Sequence, residues 1–207
     1  MFVCSAQSLA YIAVPKTGST ALEMALKPRA DILFTKHRKH LTAQRFHNRI
    51  APFLAEAFDL RPERFAVMRA PEEQIRSWYR YRAGQRQTGS EASTQGLTFD
   101  QFVADVISDT PPPHAGIGSQ HRMLTSGKGA VLVHHLFAYE NQPALRQFLS
   151  DRFGEDIVLK PKNVSPTVDA PLSDEMRARL RAARAEEFAL YDRLIAAGGH
   201  LITDVKT

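Results

Sequence analysis

Cysteine is almost missing from this 207-residue chain: Cys4 is the single one, so no disulfide can form within it. That fits a reducing compartment. No apolar run approaches the ~20 residues that a membrane-spanning helix needs. The opening MFVCSAQSLAYIAV has neither a basic flank nor a cleavage signal, so it reads as a first strand and not as a leader. Together these absences predict a cytoplasmic protein with no membrane partner. Internal repeats are lacking too. So are helix-turn-helix, zinc and aromatic-basic platform patterns, which argues against a nucleic-acid partner despite a pI of about 9.5. The phosphate loop of nucleotide hydrolases, GxxxxGK[ST], does not occur. No apolar strand ends in an acidic residue well placed to hold magnesium, and no metal site is expected.

What is present is concentrated in LAYIAVPKTGST, residues 9–20. Residues 9–14 are apolar, with aromatic and β-branched members, as in a buried strand. Pro15 ends the run. Lys16, Thr17, Gly18, Ser19 and Thr20 follow, and then ALEMAL, a good helix former. A strand, a tight polar loop and a helix form an anion cradle. Amides at a helix start lack partners, and the helix dipole puts partial positive charge there. Gly18 lets a ligand approach the backbone, Lys16 adds a full charge, and three hydroxyls add donors. The plainer reading is a turn with Ser19 or Thr20 as N-cap.

A second strand, FAVM at 65–68, ends in Arg69-Ala70-Pro71, and Pro71 suits the first position of a helix over 71–81. Arg69 stands at the carboxyl end of its strand, where open α/β sheets bind ligands. Ser77, two turns along, can reach the same anion. The plainer readings are an Arg69 pair with Glu72 or Glu73, and a Ser77 hydroxyl bonded to its own backbone.

PKTGST followed by VMRAPEEQIRSWYRY resembles the paired nucleotide motifs of sulfotransferases that use 3′-phosphoadenosine 5′-phosphosulfate (PAPS). YENQPAL at 139–145, KNVSP at 162–166 and LYDRL at 190–194 are similar to segments of the carbohydrate branch of that family. The stretch 84–128 matches no family pattern. The resemblance implies that Lys16 to Thr20 hold the 5′-phosphosulfate, and that Arg69 and Ser77 hold the 3′-phosphate. It further implies a PAPS cosubstrate without a metal and a small-molecule or carbohydrate acceptor. The fold implied is a three-layer α/β/α arrangement with a central, mostly parallel sheet and a P-loop-like core, with residues 1–207 as one domain.

Sulfuryl transfer needs in-line positioning and stabilisation of charge on the leaving phosphate. Lys16, beside the loop amides, is the candidate cation. Relatives place a His or Glu base between the two donor motifs. Here that interval holds His37, His40 and His47 with Asp31, Glu56, Asp59 and Glu63. KHLTA at 39–43 is most like the family's base segment, which favours His40. Lys36, Arg38 and Lys39 would keep it neutral. Glu23 is the lesser candidate, as a residue that complements the helix dipole. A kinase-like nucleotide-binding protein and a non-catalytic nucleotide-binding module remain the alternatives.

Elsewhere, strands are expected near 32–35, 130–137 and 157–159. A capping box at Thr98 and Gln101 should open a helix, and another should run over 141–153. A last helix should start at Ser173, bury Met176, Leu180, Ala183, Tyr191 and Ile195, and stop at Gly198-Gly199. Residues 177–184 read as its solvated basic face. Two aperiodic stretches, 84–96 and 110–129, read either as acceptor-site walls or lids or as surface decoration.

Overall fold

A computed structural model describes residues 1–84, 88–160 and 169–205. The KNVSP segment lies outside them. Strands β1 (Phe2–Cys4) and β2 (Leu9–Ile12) form an antiparallel hairpin. Helix α1 (Ser19–Leu26) leads to β3 (Ile32–Leu33) at the sheet edge. Next come a short α2 (Ala43–Arg45), a π-helical turn (Phe46–Ile50) and α3 (Ala51–Phe58). β4 (Glu63–Met68) passes into α4 (Pro71–Ala83), and α5 (Phe99–Val106) and a short α6 (Gln120–Leu124) follow. The chain continues through β5 (His135–Ala138), α7 (Gln142–Phe153), α8 (Asp174–Ala183), α9 (Ala185–Ala196) and β6 (His200–Ile202).

The six-stranded sheet has the order β3-β1-β2-β4-β5-β6. It is parallel only in the middle, where β2 pairs with β4 and β4 with β5. The pairings of β1 with β2, β1 with β3 and β5 with β6 are antiparallel. The expected mostly parallel sheet is thus confined to the strands that carry the cradle. Helical segments pack on both faces. Adjacent residues of a strand point to opposite faces, and Phe65 meets Phe148 of α7 while Arg64 meets Phe46 of the π turn.

Several expectations are corrected. The N-terminal segment is two strands, because residues 5–8 turn: Ser8 takes φ 46°, and the Asp31 carboxylate accepts from both the Ser5 amide and its hydroxyl. The strand near 130–137 is confined to 135–138, and no strand forms at 157–159. The final helix breaks at Arg184, since its halves serve different cores. Met176 and Leu180 pack with Ile75, Tyr79 and Phe102, whereas Leu190 and Leu194 pack under the sheet. Ile195 is exposed. The capping box at Thr98 and Gln101 forms, and Ser173 caps α8.

No helix among the described residues is long and apolar enough to cross a membrane.

Candidate functional site

The loops leaving β2, β4 and β5 meet at one end of the sheet, because these three strands run the same way. The first is the cradle. Gly18 takes φ 74° and serves as N-cap of α1, and no side chain caps that helix. Neither Ser19 nor Thr20 is therefore the cap. The Gly18 carbonyl accepts from the amides of Ala21 and Leu22, at 2.9 and 3.3 Å. Thr17 is buried and donates its hydroxyl to the Val14 carbonyl at 2.9 Å, so that hydroxyl braces the loop. Ser19 is also buried, and the Thr20 hydroxyl lies 3.5 Å from Lys39 Nζ.

Lys16 adopts φ 66°, which turns its side chain toward α4. Its ammonium lies 3.3 Å from the centre of the Tyr81 ring and 4.8 Å from that of Trp78. Burial, and then the charges of Arg82 and Arg69, lower its pKa to about 7. α4 also touches the loop through Gln74, whose amide donates to the Pro15 carbonyl at 3.3 Å. Ser77 is half-buried one helical turn from both Gln74 and Tyr81, on the same face.

Arg69 leaves the end of β4. Its guanidinium carbon stands 4.7 Å above the Tyr139 ring. Tyr139 Cε2 lies 3.3 Å from where a β-carbon on Gly18 would sit. One ring thus touches both the Gly18 loop and Arg69. The Arg69 Nε is buried without a hydrogen-bond partner, while its Nη2 makes a long ion pair with Glu73 at 3.7 Å, as the plainer reading expected. Glu72 instead binds Arg76 and Arg177, at 2.7 and 3.0 Å. Among the described residues Lys16 has no paired carboxylate, and Arg69 has only the long contact with Glu73, so both retain capacity for an anionic group.

The backbone at Arg69 is held by a residue that sequence reasoning passed over. Gln120 accepts from the Arg69 amide at 3.0 Å and donates to its carbonyl at 2.9 Å. Glu187 accepts from the Gln120 amide at 3.1 Å. Glu140 accepts from the Ala70 amide at 3.0 Å and from the Tyr191 hydroxyl at 2.9 Å. Tyr139 and Glu140 belong to YENQPAL and Tyr191 to LYDRL, so those segments converge on the cradle. Their similarity to family segments was the available signal. Gln120 gave none.

His40 lies beside the end of β2, ahead of the loop. Its Nδ1 is 2.7 Å from the Ala13 carbonyl, so Nδ1 carries the hydrogen and Nε2 is left as an acceptor. The protein packed around it lowers its pKa, and Lys39 and the N-terminal ammonium act the same way. The ring lines a cleft of about 490 Å³ together with Arg45, Asn48 and Arg49. Glu23 is occupied: its carboxylate binds the Met1 ammonium at 3.0 Å and Lys39 at 2.8 Å. It lies beyond the first turn of α1, so it is an ion-pair partner and not a dipole complement.

His47 faces a separate cavity, described below. The loop 110–129 contributes Gln120. Of 84–96, the described part folds back on α4, where Thr94 donates to the Tyr79 carbonyl at 2.8 Å. No group of three or more His, Cys, Asp or Glu that could hold a metal occurs among the described residues.

Comparison of the chain with protein-family models, curated proteins and solved structures finds no match.

Proposed function

We propose that this chain is a PAPS-dependent sulfotransferase with a P-loop-like donor site. The reading rests on one observation: the Tyr139 ring packs against both Gly18 and Arg69. A single nucleotide carrying phosphates at two positions can therefore span them.

In this reading the uncapped start of α1 and Lys16 take the 5′-phosphosulfate. Arg69, with its unpaired Nε, and Ser77 take the 3′-phosphate. The sulfuryl group passes in line from the 5′-phosphate oxygen to an acceptor hydroxyl oxygen. Lys16 meets the negative charge that grows on the leaving phosphate, and His40 Nε2 takes the acceptor proton. The cleft beside His40, lined by Arg45 and Arg49, is the acceptor side, and a carbohydrate is the class the sequence resemblance favours. One such cation typically contributes about 10²–10³ in rate, and a positioned base about 10²–10⁴.

Calorimetry with 3′-phosphoadenosine 5′-phosphate (PAP) tests the donor site. Micromolar binding to the wild type and a loss of at least ~100-fold in a Lys16→Ala, Arg69→Ala double variant are expected, since each removes a charge-assisted contact. Equal affinity in the two proteins overturns the assignment.

A further inference from the structure

At the opposite end of β4 lies an arginine that the donor site does not use. Arg64 is 1% exposed, the largest side chain in the buried core. No carboxylate pairs with it among the described residues, and burial alone pulls its pKa down to about 10. Its Nη1 is within 3.1 Å of His47 Nδ1 and 3.2 Å of the Leu132 carbonyl. Its Nε has no partner. A buried cation without a counter-charge is costly, and the β4 position does not explain why arginine stands there.

The side chain lines a cavity of about 430 Å³, within the usual range for small-molecule sites. Hydrogen bonding fixes the polarity of its walls. Arg64 donates through Nη1 to His47 Nδ1, so the His47 hydrogen is on Nε2. The Arg64 amide donates to His134 Nδ1 at 2.9 Å, which leaves the His134 hydrogen on Nε2 as well. Burial and Arg64 hold both imidazoles below the ordinary histidine pKa, so each is neutral at pH 7. Arg64 and both imidazoles thus offer only donors; Arg61, ion-paired with Asp59, and Asn48, which also lines the His40 cleft, are the other polar residues of the lining. Ala51 and Ala55 of α3 add apolar surface to the lining.

We propose that this cavity binds a small organic carboxylate, its head group on Arg64 with the two imidazoles and its apolar body against Ala51 and Ala55. The unpaired guanidinium supplies the charge that a carboxylate neutralises, and the alanines leave room that an inorganic anion would not fill. The site is separate from the nucleotide cradle. Arg64 lies near the start of β4 and Arg69 just past its end, five residues on, roughly 17 Å at ~3.3 Å per residue of extended chain.

The test is isothermal titration of benzoate, benzamide and sodium sulfate at pH 7.5 into the wild type and into Lys16→Ala, Arg64→Met and Ala55→Phe. Benzoate should bind the wild type and Lys16→Ala alike. Benzamide, which is isosteric and neutral, should bind at least ~10-fold more weakly, the loss expected for a charge-assisted contact. Arg64→Met should abolish the benzoate signal. Ala55→Phe fills the cavity from its half-buried wall and should do the same with an unchanged circular dichroism spectrum, so the test stands even where Arg64→Met fails to fold. No benzoate binding to the wild type below about 10 mM, equal binding to a folded Ala55→Phe, or sulfate binding as tight as benzoate each overturns the proposal.

Discussion

The ammonium of Lys16 rests 3.3 Å from the centre of the Tyr81 ring, with no carboxylate paired to it among the described residues. A ring face attracts a cation weakly compared with a phosphate. Burial, and then the charges of Arg82 and Arg69, bring the loss of the Lys16 proton to near pH 7 in the free protein. A bound dianion restores it. Binding of PAP at pH 8 should accordingly take up between about one half and one proton, measured by calorimetry in buffers of different ionisation enthalpy. Affinity should fall as pH rises through 7. Lys16→Arg, charged throughout, should remove both effects.

The two titrating groups of the proposed chemistry act in opposite directions. His40 works deprotonated, and its pKa lies below 6.5. Lys16 works protonated, and its pKa is about 7. The profile of kcat/KM should be a narrow bell with its rising limb under pH 6.5 and its falling limb near 7. His40→Ala should lower turnover by about 10²–10⁴ with PAP affinity unchanged. An unchanged rate for His40→Ala would move the base to another residue.

Gly18 is held at φ 74° with the Tyr139 ring against the place of a β-carbon. Gly18→Ala should cost about 1–2 kcal/mol in urea unfolding, from the left-handed backbone alone. It should also weaken PAP binding by roughly tenfold, because the cradle and the ring must separate. Gly154 has a similar φ, but open space where its β-carbon would be. Gly154→Ala should show the stability loss without the binding loss.

Gln120 ties the end of β4 to α9. Gln120→Ala leaves the Arg69 amide and carbonyl without their partner and removes the 3.3 Å bond from the Gln120 side chain to Glu187, which keeps the residue-120 backbone amide and Arg184. A loss of about 2–3 kcal/mol in urea unfolding is expected, with weaker PAP binding because Arg69 is no longer fixed.

The strand–loop–helix turn at 9–26 was legible because its physics is local. An apolar strand, a polar turn with glycine and a helix former are adjacent in sequence, and so are Arg69 and Pro71. What stayed hidden depends on distant partners. Residues 5–8 contain no glycine or proline, and the group that bends them is Asp31. The break at Arg184 follows its hydrogen bond to the Gly118 carbonyl at 2.8 Å, 66 residues away. β6 is a three-residue edge strand, too short to show a period. Gln120 looked like any polar loop residue, because its partners come from β4 and α9.

Helix α4 has two allegiances. Gln74, Trp78 and Tyr81 meet the cradle loop, while Ile75 and Tyr79 are locked among Phe99 and Phe102 of α5 and the residues of α8. The small second core therefore sets, from behind, how α4 meets the Lys16 loop. Damage there, such as a void at Phe102, would travel through the helix as a rigid lever and, if the proposed donor site holds, be felt as a loosened grip on phosphate by residues it never touches.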